Sequence, residues 1–310
     1  MDRLALGTVQ FGLRYGIAEG QRQVSAVTVE EILKTAKQAG ITLLDTAASY
    51  GESEAVLGRT LVSQSFNVIS KTLPIRQPVL TIAHLDQIKA TFDQSLTKLG
   101  RTCLEGLLVH DAQDLLAPGG NDLWRWMEGL KRAGIVSRIG VSVYDTATAF
   151  KLIERYGVEI IQVPFNLLDQ RIAHDGFLDF CRARFIAVHA RSIFLQGVIL
   201  MKDSELPASL SGLRPYLQRL NQMGRLARCS VADLALAYVA QRPEIEKIVV
   251  GVHHSDQLER LIAVWKRLKI LENLGDETRI TFVFDVKNPE LVALQREMMY
   301  NSSSDDRRMQ

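Results

Sequence analysis

The sequence predicts a closed (β/α)8 TIM barrel, and three features favour this fold. Strand-like apolar runs alternate with amphipathic helical segments about eight times within roughly 250 residues. The predicted strands are continuous apolar runs, as expected when both faces of a parallel sheet are covered. The first strand is not followed by G-x-G-x-x-G, the fingerprint of an open dinucleotide-binding sheet. We therefore expect a single barrel domain over residues 1–300 and a disordered polar tail over residues 301–310.

The first half of the chain contains four strand-helix units. Thr28, with a glutamate three residues later, has the spacing of a capping box, so a helix is predicted to begin there. Ser53 is the predicted N-cap of a shorter helix, and a helix that begins near His84 is predicted to end at Gly100. The predicted strands cover residues 4–12, 41–44, 67–70 and 104–109.

The second half repeats the alternation. Asn121 and Asp145 are predicted N-caps, Ser230 opens a capping box with an aspartate three residues later, and the last helix starts near Ser255. Another helix is predicted around residues 175–184. The irregular stretch of residues 202–215 is a candidate cover for the barrel mouth. The predicted strands cover residues 137–143, 158–164, 185–190 and 247–251.

Composition excludes several classes of protein. Hydrophobic residues make up 47% and charged residues 23% of the chain, which is typical of a globular protein. The formal net charge is only +2, and no arginine tract occurs, so neither nucleic acid nor a membrane surface is expected as a partner. Cys103, Cys181 and Cys229 are too scattered for a disulfide framework or a metal site. With no signal-peptide pattern or transmembrane run, we expect a cytoplasmic protein.

Four ionisable residues are predicted to meet at one end of the barrel. Asp45, Lys71 and His110 each follow a predicted strand directly, and Tyr50 lies in the loop five residues after Asp45. The carboxyl ends of the strands are where a barrel carries its chemistry. Each residue alone is compatible with a structural role, but their joint occurrence at successive strand ends favours a catalytic site.

These residue types suit proton transfer to an oxygen atom. A lysine beside Tyr50 is expected to lower the pKa of the phenol, and the Asp45 carboxylate is expected to keep Lys71 charged. His110 is placed to hydrogen-bond and orient a substrate oxygen. Such a set can protonate a carbonyl oxygen while hydride reaches the carbonyl carbon, and it needs no metal ion.

The motifs of the chain resemble those of the aldo-keto reductases. The resemblance covers nearly the whole predicted barrel, in the order LALGTVQFG, LLDTAASYGESEAVLG, ISKT, LLVHDAQ, RIGVSVYD, IIQVPFNLLDQR, SIFLQGVI and VVGVHHSDQLE. It implies a catalytic tetrad of Asp45, Tyr50, Lys71 and His110, with Tyr50 as the general acid. It also implies a nicotinamide cofactor bound in an extended form across the barrel mouth.

By motif position, the resemblance also implies cofactor contacts. They are Ser142 and Gln162 at the carboxamide, Ser192, Phe194, Gln196 and Gly197 along the pyrophosphate, and Gly251, His253, His254 and Gln257 around the adenosine phosphate. Three residues depart from the family pattern: Val143 replaces an asparagine, Ile193 replaces a proline, and Arg191 replaces the aromatic residue that usually stacks on the nicotinamide. A guanidinium can also stack on the ring, but its charge would favour the reduced cofactor or an anionic substrate.

The expected cofactor is NADPH, with NADH as the alternative. The family commonly binds the 2′-phosphate with lysine or arginine, whereas this chain offers Val252, His253, His254 and Gln257. Histidines with an ordinary pKa of about 6.5 carry only part of a charge at neutral pH. A metal site at the paired histidines is a second interpretation, but no third ligand lies nearby in the sequence.

The leading hypothesis is an NAD(P)H-dependent oxidoreductase that acts on an aldehyde, a ketone or a sugar. Arg14 and Arg22 in the first loop favour a polar, sugar-like or anionic substrate, and a monomer is expected. One alternative is a regulatory or interaction protein that binds a dinucleotide with little turnover. Another is a lyase or isomerase that uses Lys71 as a Schiff-base amine.

Overall fold

The barrel predicted from the sequence is confirmed. The computed structural model describes residues 1–17 and 22–273, with side chains in the last helix described up to residue 268. Eight parallel strands close into one barrel in sequence order, and β1 pairs with β8. The strands are β1 Leu4–Gly7, β2 Leu43–Asp45, β3 Asn67–Lys71, β4 Leu104–Val109, β5 Val136–Ser142, β6 Ile160–Pro164, β7 Ala187–Arg191 and β8 Ile245–Gly251.

Helices connect the strands and cover the outside of the barrel. The helices of seven or more residues are Ala26–Gln38, Ser53–Arg59, Ile82–Leu99, Gly120–Arg132, Thr146–Arg155, Phe177–Ala183, Arg214–Ala227, Val231–Ala240 and Ser255–Asn273. Single helical turns occur at Val9–Gly12, Gln113–Leu116 and Arg171–His174. The 3-10 segments are Leu61–Ser65, Leu195–Leu200, Asp203–Glu205 and Ala208–Leu213. The expectation for the tail, residues 301–310, lies outside the described residues.

The apolar residues of the strands divide between the two faces of the barrel wall. A small cluster fills the interior of the barrel and consists of Ala5, Leu43, Ile69, Leu108 and Ile160. Their chain neighbours belong to the larger core between the strands and the helices. Because side chains alternate along a strand, both faces are buried, which explains the continuous apolar runs in the sequence.

Several predicted helix ends are confirmed. Asp145 caps its helix by accepting a hydrogen bond from the Thr148 amide at 2.7 Å. Ser230 and Asp233 form the expected capping box. Gly100 ends its helix in the left-handed region, with φ of 63°, where a glycine has no Cβ to clash.

Three predicted N-caps are wrong. Ser25, not Thr28, caps the first long helix, and the Thr28 amide donates to the Ser25 hydroxyl at 3.2 Å. Ser53 is the first residue of its helix, and its hydroxyl donates to the Thr8 carbonyl of the first loop at 2.8 Å. Asn121 lies inside its helix, which follows a left-handed glycine, Gly119. Only Ser25 caps with its side chain, whereas Glu52 and Gly119 precede the other two helices without a side-chain cap hydrogen bond, so propensity alone misplaces the boundary.

The segment of residues 202–215 is more regular than its sequence indicates. It contains two 3-10 segments and leads into the helix Arg214–Ala227, which was not predicted. Part of it lies at the barrel mouth, since Glu205 lines the main cavity. In the part of the chain that is described, no helix has the length and apolar character needed to cross a membrane.

Gly140 provides a test of the close packing of the barrel wall. A Cβ at this position in β5 would lie 1.9 Å from the Ile160 carbonyl oxygen in β6, so Gly140→Ala must push the two backbones apart. We expect a loss of about 1–3 kcal/mol in the free energy of unfolding, measured by urea denaturation. Gly157→Ala is the matched control because nothing lies within 4 Å of its Cβ position. Equal stability of the two variants would contradict the packing argument.

Candidate active site

A polar layer lies directly above the apolar interior of the barrel. On β2, β3, β4 and β6, the residue two positions after the apolar layer points to the same inward face. These residues are Asp45, Lys71, His110 and Gln162. Strand periodicity and parallel register therefore bring together three of the four predicted catalytic residues, and Gln162 joins them from across the barrel.

Lys71 and Asp45 form a buried ion pair at the centre of this layer. The Lys71 Nζ donates to Asp45 Oδ1 at 2.7 Å and to the Thr46 carbonyl at 3.0 Å, and the two charged side chains are only 1% and 6% exposed. Gln162 donates to the other carboxylate oxygen at 2.7 Å. Burial lowers the pKa of Lys71, and the charge and hydrogen bond of Asp45 oppose this shift, as the sequence led us to expect.

Tyr50 completes the tetrad. The third contact of the Lys71 Nζ is the Tyr50 hydroxyl, at 3.3 Å. The sequence predicted a lowered pKa for this phenol, but the pKa is raised, chiefly by burial and then by the Asp45 carboxylate, while Arg191 opposes the rise. Because an ammonium group can only donate, the phenol accepts from Lys71 and keeps its own proton for another acceptor.

His110 lies against Tyr50 as a neutral ring. The two rings meet edge to face with centroids 5.7 Å apart, and His110 Nδ1 lies 3.1 Å from the Ser49 hydroxyl. Burial holds the pKa of His110 well below its ordinary value, and the positive charges of Lys71 and Arg191 lower it further. The imidazole is therefore neutral at physiological pH and has one N–H to donate.

Two glycines fix the loop that carries Tyr50. A Cβ on Gly12 would lie 1.9 Å from the Tyr50 carbonyl oxygen, so the turn after β1 packs directly on the Tyr50 backbone. Gly51 adopts a φ of +53°, and its Cβ position lies 2.5 Å from the Gly12 carbonyl oxygen. A larger residue at either position would displace Tyr50.

The helix after Tyr50 is held from below by buried polar contacts. The Ser53 hydroxyl donates to the Thr8 carbonyl, and the Ser70 hydroxyl donates to the Glu54 carboxylate at 2.7 Å. All of these side chains are buried. The sequence pair Ser53-Glu54 therefore attaches this helix to the first loop, at Thr8, and to β3, at Ser70.

A single cavity joins the tetrad to most of the predicted cofactor residues. It has a volume of about 1140 Å³, large for a small-molecule pocket. All four tetrad residues line it, together with Ser142, Gln162, Arg191, Ser192, Phe194, Gln196, Gly197, Gly251, His253 and Gln257. His254 does not: its side chain is exposed and lies outside the cavity lining.

The loop after β7 has a strained backbone where it lines the cavity. Ser192, Leu195 and Gln196 have φ values of 58°, 47° and 54°, which are unusual for residues with a Cβ, and Gly197 follows with 89°. Such strain persists where the surroundings hold the chain in place, commonly at ligand sites. The Gln196 carbonyl accepts from the Ile17 amide at 3.0 Å, which ties this loop to the first loop.

His253 makes a similar link. Its ring Nε2 donates to the Tyr15 carbonyl at 3.1 Å, and its amide donates to the Gln257 side chain at 2.8 Å. The imidazole predicted to face a phosphate therefore also anchors the first loop. The Ile17–Gln196 and His253–Tyr15 hydrogen bonds together join the loops after β1, β7 and β8 around the cavity.

Sequence reasoning missed several residues of the cavity. Gln10 is 6% exposed, and its side chain packs against Gly251, whose Cβ position lies 2.4 Å from the Gln10 Nε2. The signal in the sequence was Gly251 itself, because a glycine in the adenosine motif indicates that another group packs closely against the backbone there. Three arginines outside the family motifs also line the cavity: Arg225, Arg228 and Arg260.

The residues present fit a nicotinamide cofactor. Gln162 Oε1 is buried and has no hydrogen-bond partner among the described residues, and the Ser142 hydroxyl lies on the neighbouring strand position. Gln162 Oε1 can accept from the NH2 group of a carboxamide, and the Ser142 hydroxyl can donate to its carbonyl oxygen. Gln10 Oε1 is a second buried acceptor without a partner in the described part of the chain. Buried polar atoms of this kind call for a ligand or a water.

No metal centre accompanies the site in the described ranges 1–17 and 22–273. No group of three or more histidine, cysteine, aspartate or glutamate side chains there could hold a metal ion.

Comparison with known proteins gives a consistent result. An uncharacterized oxidoreductase of Mycobacterium tuberculosis is 27% identical over 285 residues, covering 85% of this chain and 84% of that protein. An aldo-keto reductase of Bacillus subtilis is 24% identical, with 84% of each chain covered, and the L-glyceraldehyde 3-phosphate reductase of Escherichia coli K12 is 22% identical, with 80% covered.

A solved structure shares the fold. The aldo-keto reductase of Bacillus halodurans in its holo form superposes with a TM-score of 0.67 at 17% identity, covering 92% of this chain and 95% of that one. The family model described as the aldo/keto reductase family matches residues 3–273, nearly the whole chain. The chain therefore belongs to the aldo/keto reductase family and is an NAD(P)-dependent oxidoreductase.

Proposed function

We propose that the enzyme interconverts a small aldehyde, ketone or sugar and the corresponding alcohol, with Tyr50 as the general acid and base. The observation that carries this proposal is the position of Lys71, whose ammonium group lies between the Asp45 carboxylate and the Tyr50 hydroxyl. The phenol is thereby held beside a positive charge that can stabilise it when it loses its proton.

In the proposed mechanism, the chain's own groups bind and protonate the carbonyl oxygen. A reduced nicotinamide, when bound, supplies hydride to the carbonyl carbon. The neutral His110 donates its N–H to the carbonyl oxygen and orients it towards Tyr50. Tyr50 gives its proton to the oxygen as negative charge develops there, and Lys71 stabilises the phenolate left behind. The Asp45 carboxylate keeps Lys71 charged throughout, and the reverse reaction uses the Tyr50 phenolate as base.

The cofactor proposed is NADPH, with NADH as the alternative. Ser142 and Gln162 would hold the carboxamide, and the strained loop of residues 192–197 would follow the pyrophosphate. Arg225, Arg228 and Arg260 line the same cavity, and we assign them to its adenosine end. Their guanidinium groups can bind a 2′-phosphate with paired hydrogen bonds, which the histidines considered from the sequence cannot do.

The substrate proposed is small, polar and sugar-like or anionic. The Escherichia coli relative is named for a phosphorylated three-carbon aldehyde. Arg14 and Arg22 of the first loop favour a polar or anionic substrate over a steroid. A cytoplasmic monomer remains the expectation.

Removing the Tyr50 hydroxyl tests the reaction. Tyr50→Phe is expected to bind cofactor normally and to lose about 10²- to 10⁴-fold in turnover of a carbonyl panel, followed by NAD(P)H absorbance. The matched control is Tyr15→Phe, which removes another phenol that lines the same cavity and should cost less than about tenfold. Unchanged turnover in Tyr50→Phe would refute the assignment. Cofactor binding by the wild type without turnover of any carbonyl would favour the regulatory alternative.

The arginines of the adenosine end test the choice of cofactor. Arg225→Gln, Arg228→Gln and Arg260→Gln, taken singly, should weaken NADP⁺ binding by about 3- to 10-fold where the guanidinium meets the phosphate, and leave NAD⁺ binding unchanged. Isothermal titration of both nucleotides measures this. Arg182→Gln, an exposed arginine outside the cavity, is the control. Equal losses for both nucleotides in every variant would remove these arginines from 2′-phosphate recognition.

A further inference from the structure

We propose that Arg191 makes the site discriminate between the two redox forms of the nicotinamide, favouring the neutral reduced ring and promoting release of the cationic oxidised ring. This inference depends on the proposed function, because it concerns the cofactor of that reaction. It assigns a new role to a charged side chain in the redox step. The effect favours loading of the reduced cofactor and release of the oxidised one.

Several contacts hold the Arg191 guanidinium in a fixed position. Arg191 is the last residue of β7, and its Nη2 donates to the Val143 carbonyl at 3.3 Å, just beyond β5. Its Nη1 donates to the Ser192 hydroxyl at 3.3 Å. The guanidinium carbon lies 4.5 Å from the centroid of the Tyr144 ring, a favourable cation–π distance. A charge held in this way does not swing into solvent.

The charge of Arg191 reaches the centre of the site. It lowers the pKa of Lys71 and of His110, and it opposes the burial-driven rise in the pKa of Tyr50. These three groups surround the place where the carbonyl oxygen must lie. Arg191 also lines the same cavity as Gln162, whose Oε1 has no hydrogen-bond partner among the described residues.

The geometry of hydride transfer then places the nicotinamide ring near this charge. The carbonyl oxygen must contact Tyr50, and the hydride-donating carbon must come within about 3.5 Å of the carbonyl carbon. The carboxamide of the same ring is to be held at Gln162. A ring that satisfies both conditions lies between Tyr50 and Gln162, at the side of the cavity where Arg191 ends β7.

Only one redox form is repelled there. The oxidised ring carries a positive charge, whereas the reduced ring is neutral and can stack on a guanidinium plane. Contacts to the carboxamide, the pyrophosphate and the adenosine are the same for both forms, so they cancel in the ratio of the two dissociation constants. Because Arg191 is half-buried, the repulsion is screened less than between two exposed charges. That ratio therefore isolates the effect of Arg191.

The experiment measures the dissociation constants of NADP⁺ and NADPH by tryptophan fluorescence quenching in the wild type, Arg191→Gln, Arg191→Met and Arg191→Lys. We expect the ratio of the NADP⁺ constant to the NADPH constant to fall about tenfold in the neutral variants and to stay near the wild-type value in Arg191→Lys. Arg182→Gln is the control for an unrelated loss of charge. Thermal unfolding establishes which variants are folded, and the two neutral side chains of different polarity guard against one failing to fold.

A ring-free probe separates charge from general damage. Adenosine 2′,5′-bisphosphate shares the adenosine end but lacks the nicotinamide, so its affinity should be the same in all variants. An unchanged ratio in the folded neutral variants, or an equal loss for NADP⁺, NADPH and the ring-free probe, would overturn the inference. Failure of the wild type to bind either cofactor would instead overturn the proposed function.

Discussion

The buried ion pair between Lys71 and Asp45 is the constraint on which the site depends. Each ion alone would cost several kcal/mol to remove from water, and removing one partner of such a pair typically costs about 3–5 kcal/mol. The pair is tolerable here because its remaining hydrogen-bonding capacity is used by the Thr46 carbonyl and by Gln162. Gln162 belongs to β6, across the barrel from β2 and β3. The charges are therefore satisfied only when the barrel is closed, so the fold and the site depend on one another.

The same pair explains how a tyrosine with a raised pKa can serve as an acid. Burial disfavours the phenolate, so Tyr50 holds its proton while the pocket is at rest. Proton transfer becomes favourable only when negative charge appears on a substrate oxygen in contact with the hydroxyl, and Lys71 is already 3.3 Å away to stabilise the phenolate. The raised pKa thus prevents loss of the proton to solvent without blocking its delivery to the substrate.

Features that depend on local sequence patterns could be predicted, whereas features that depend on partners distant in sequence could not. Asp45, Lys71 and His110 were found because strand periodicity and strand order fix their positions, and both are readable from apolar runs. The N-cap at Ser25 was missed because two hydroxyl residues three positions apart compete for it. The function of Ser53 was missed because its partner, Thr8, is distant in sequence.

Other features could not be read from local patterns. The left-handed backbone at Ser192 and Leu195 has no composition signal, since both residues ordinarily avoid it. The direction of the Tyr50 pKa shift depends on burial in a cavity that only the closed barrel creates. His254 was expected to follow its neighbour His253 into the cavity, but adjacent side chains in this loop diverge, and only one of them lines it.

The difference between the two ends of the cavity has a physical cause. The tetrad is held by buried charges on adjacent strands, so a substitution of Asp45 or Lys71 would leave an unpaired charge. A larger residue at Gly12 or Gly51 would clash with the backbone of the loops that position Tyr50. The cofactor end is held by neutral hydrogen bonds between loops, such as Ile17 to Gln196, and each contributes only about 1 kcal/mol. Changes there cost the fold little and alter binding directly. The departures from the family pattern, at Val143 and Arg191, accordingly lie where the chain can vary its chemistry without losing its barrel.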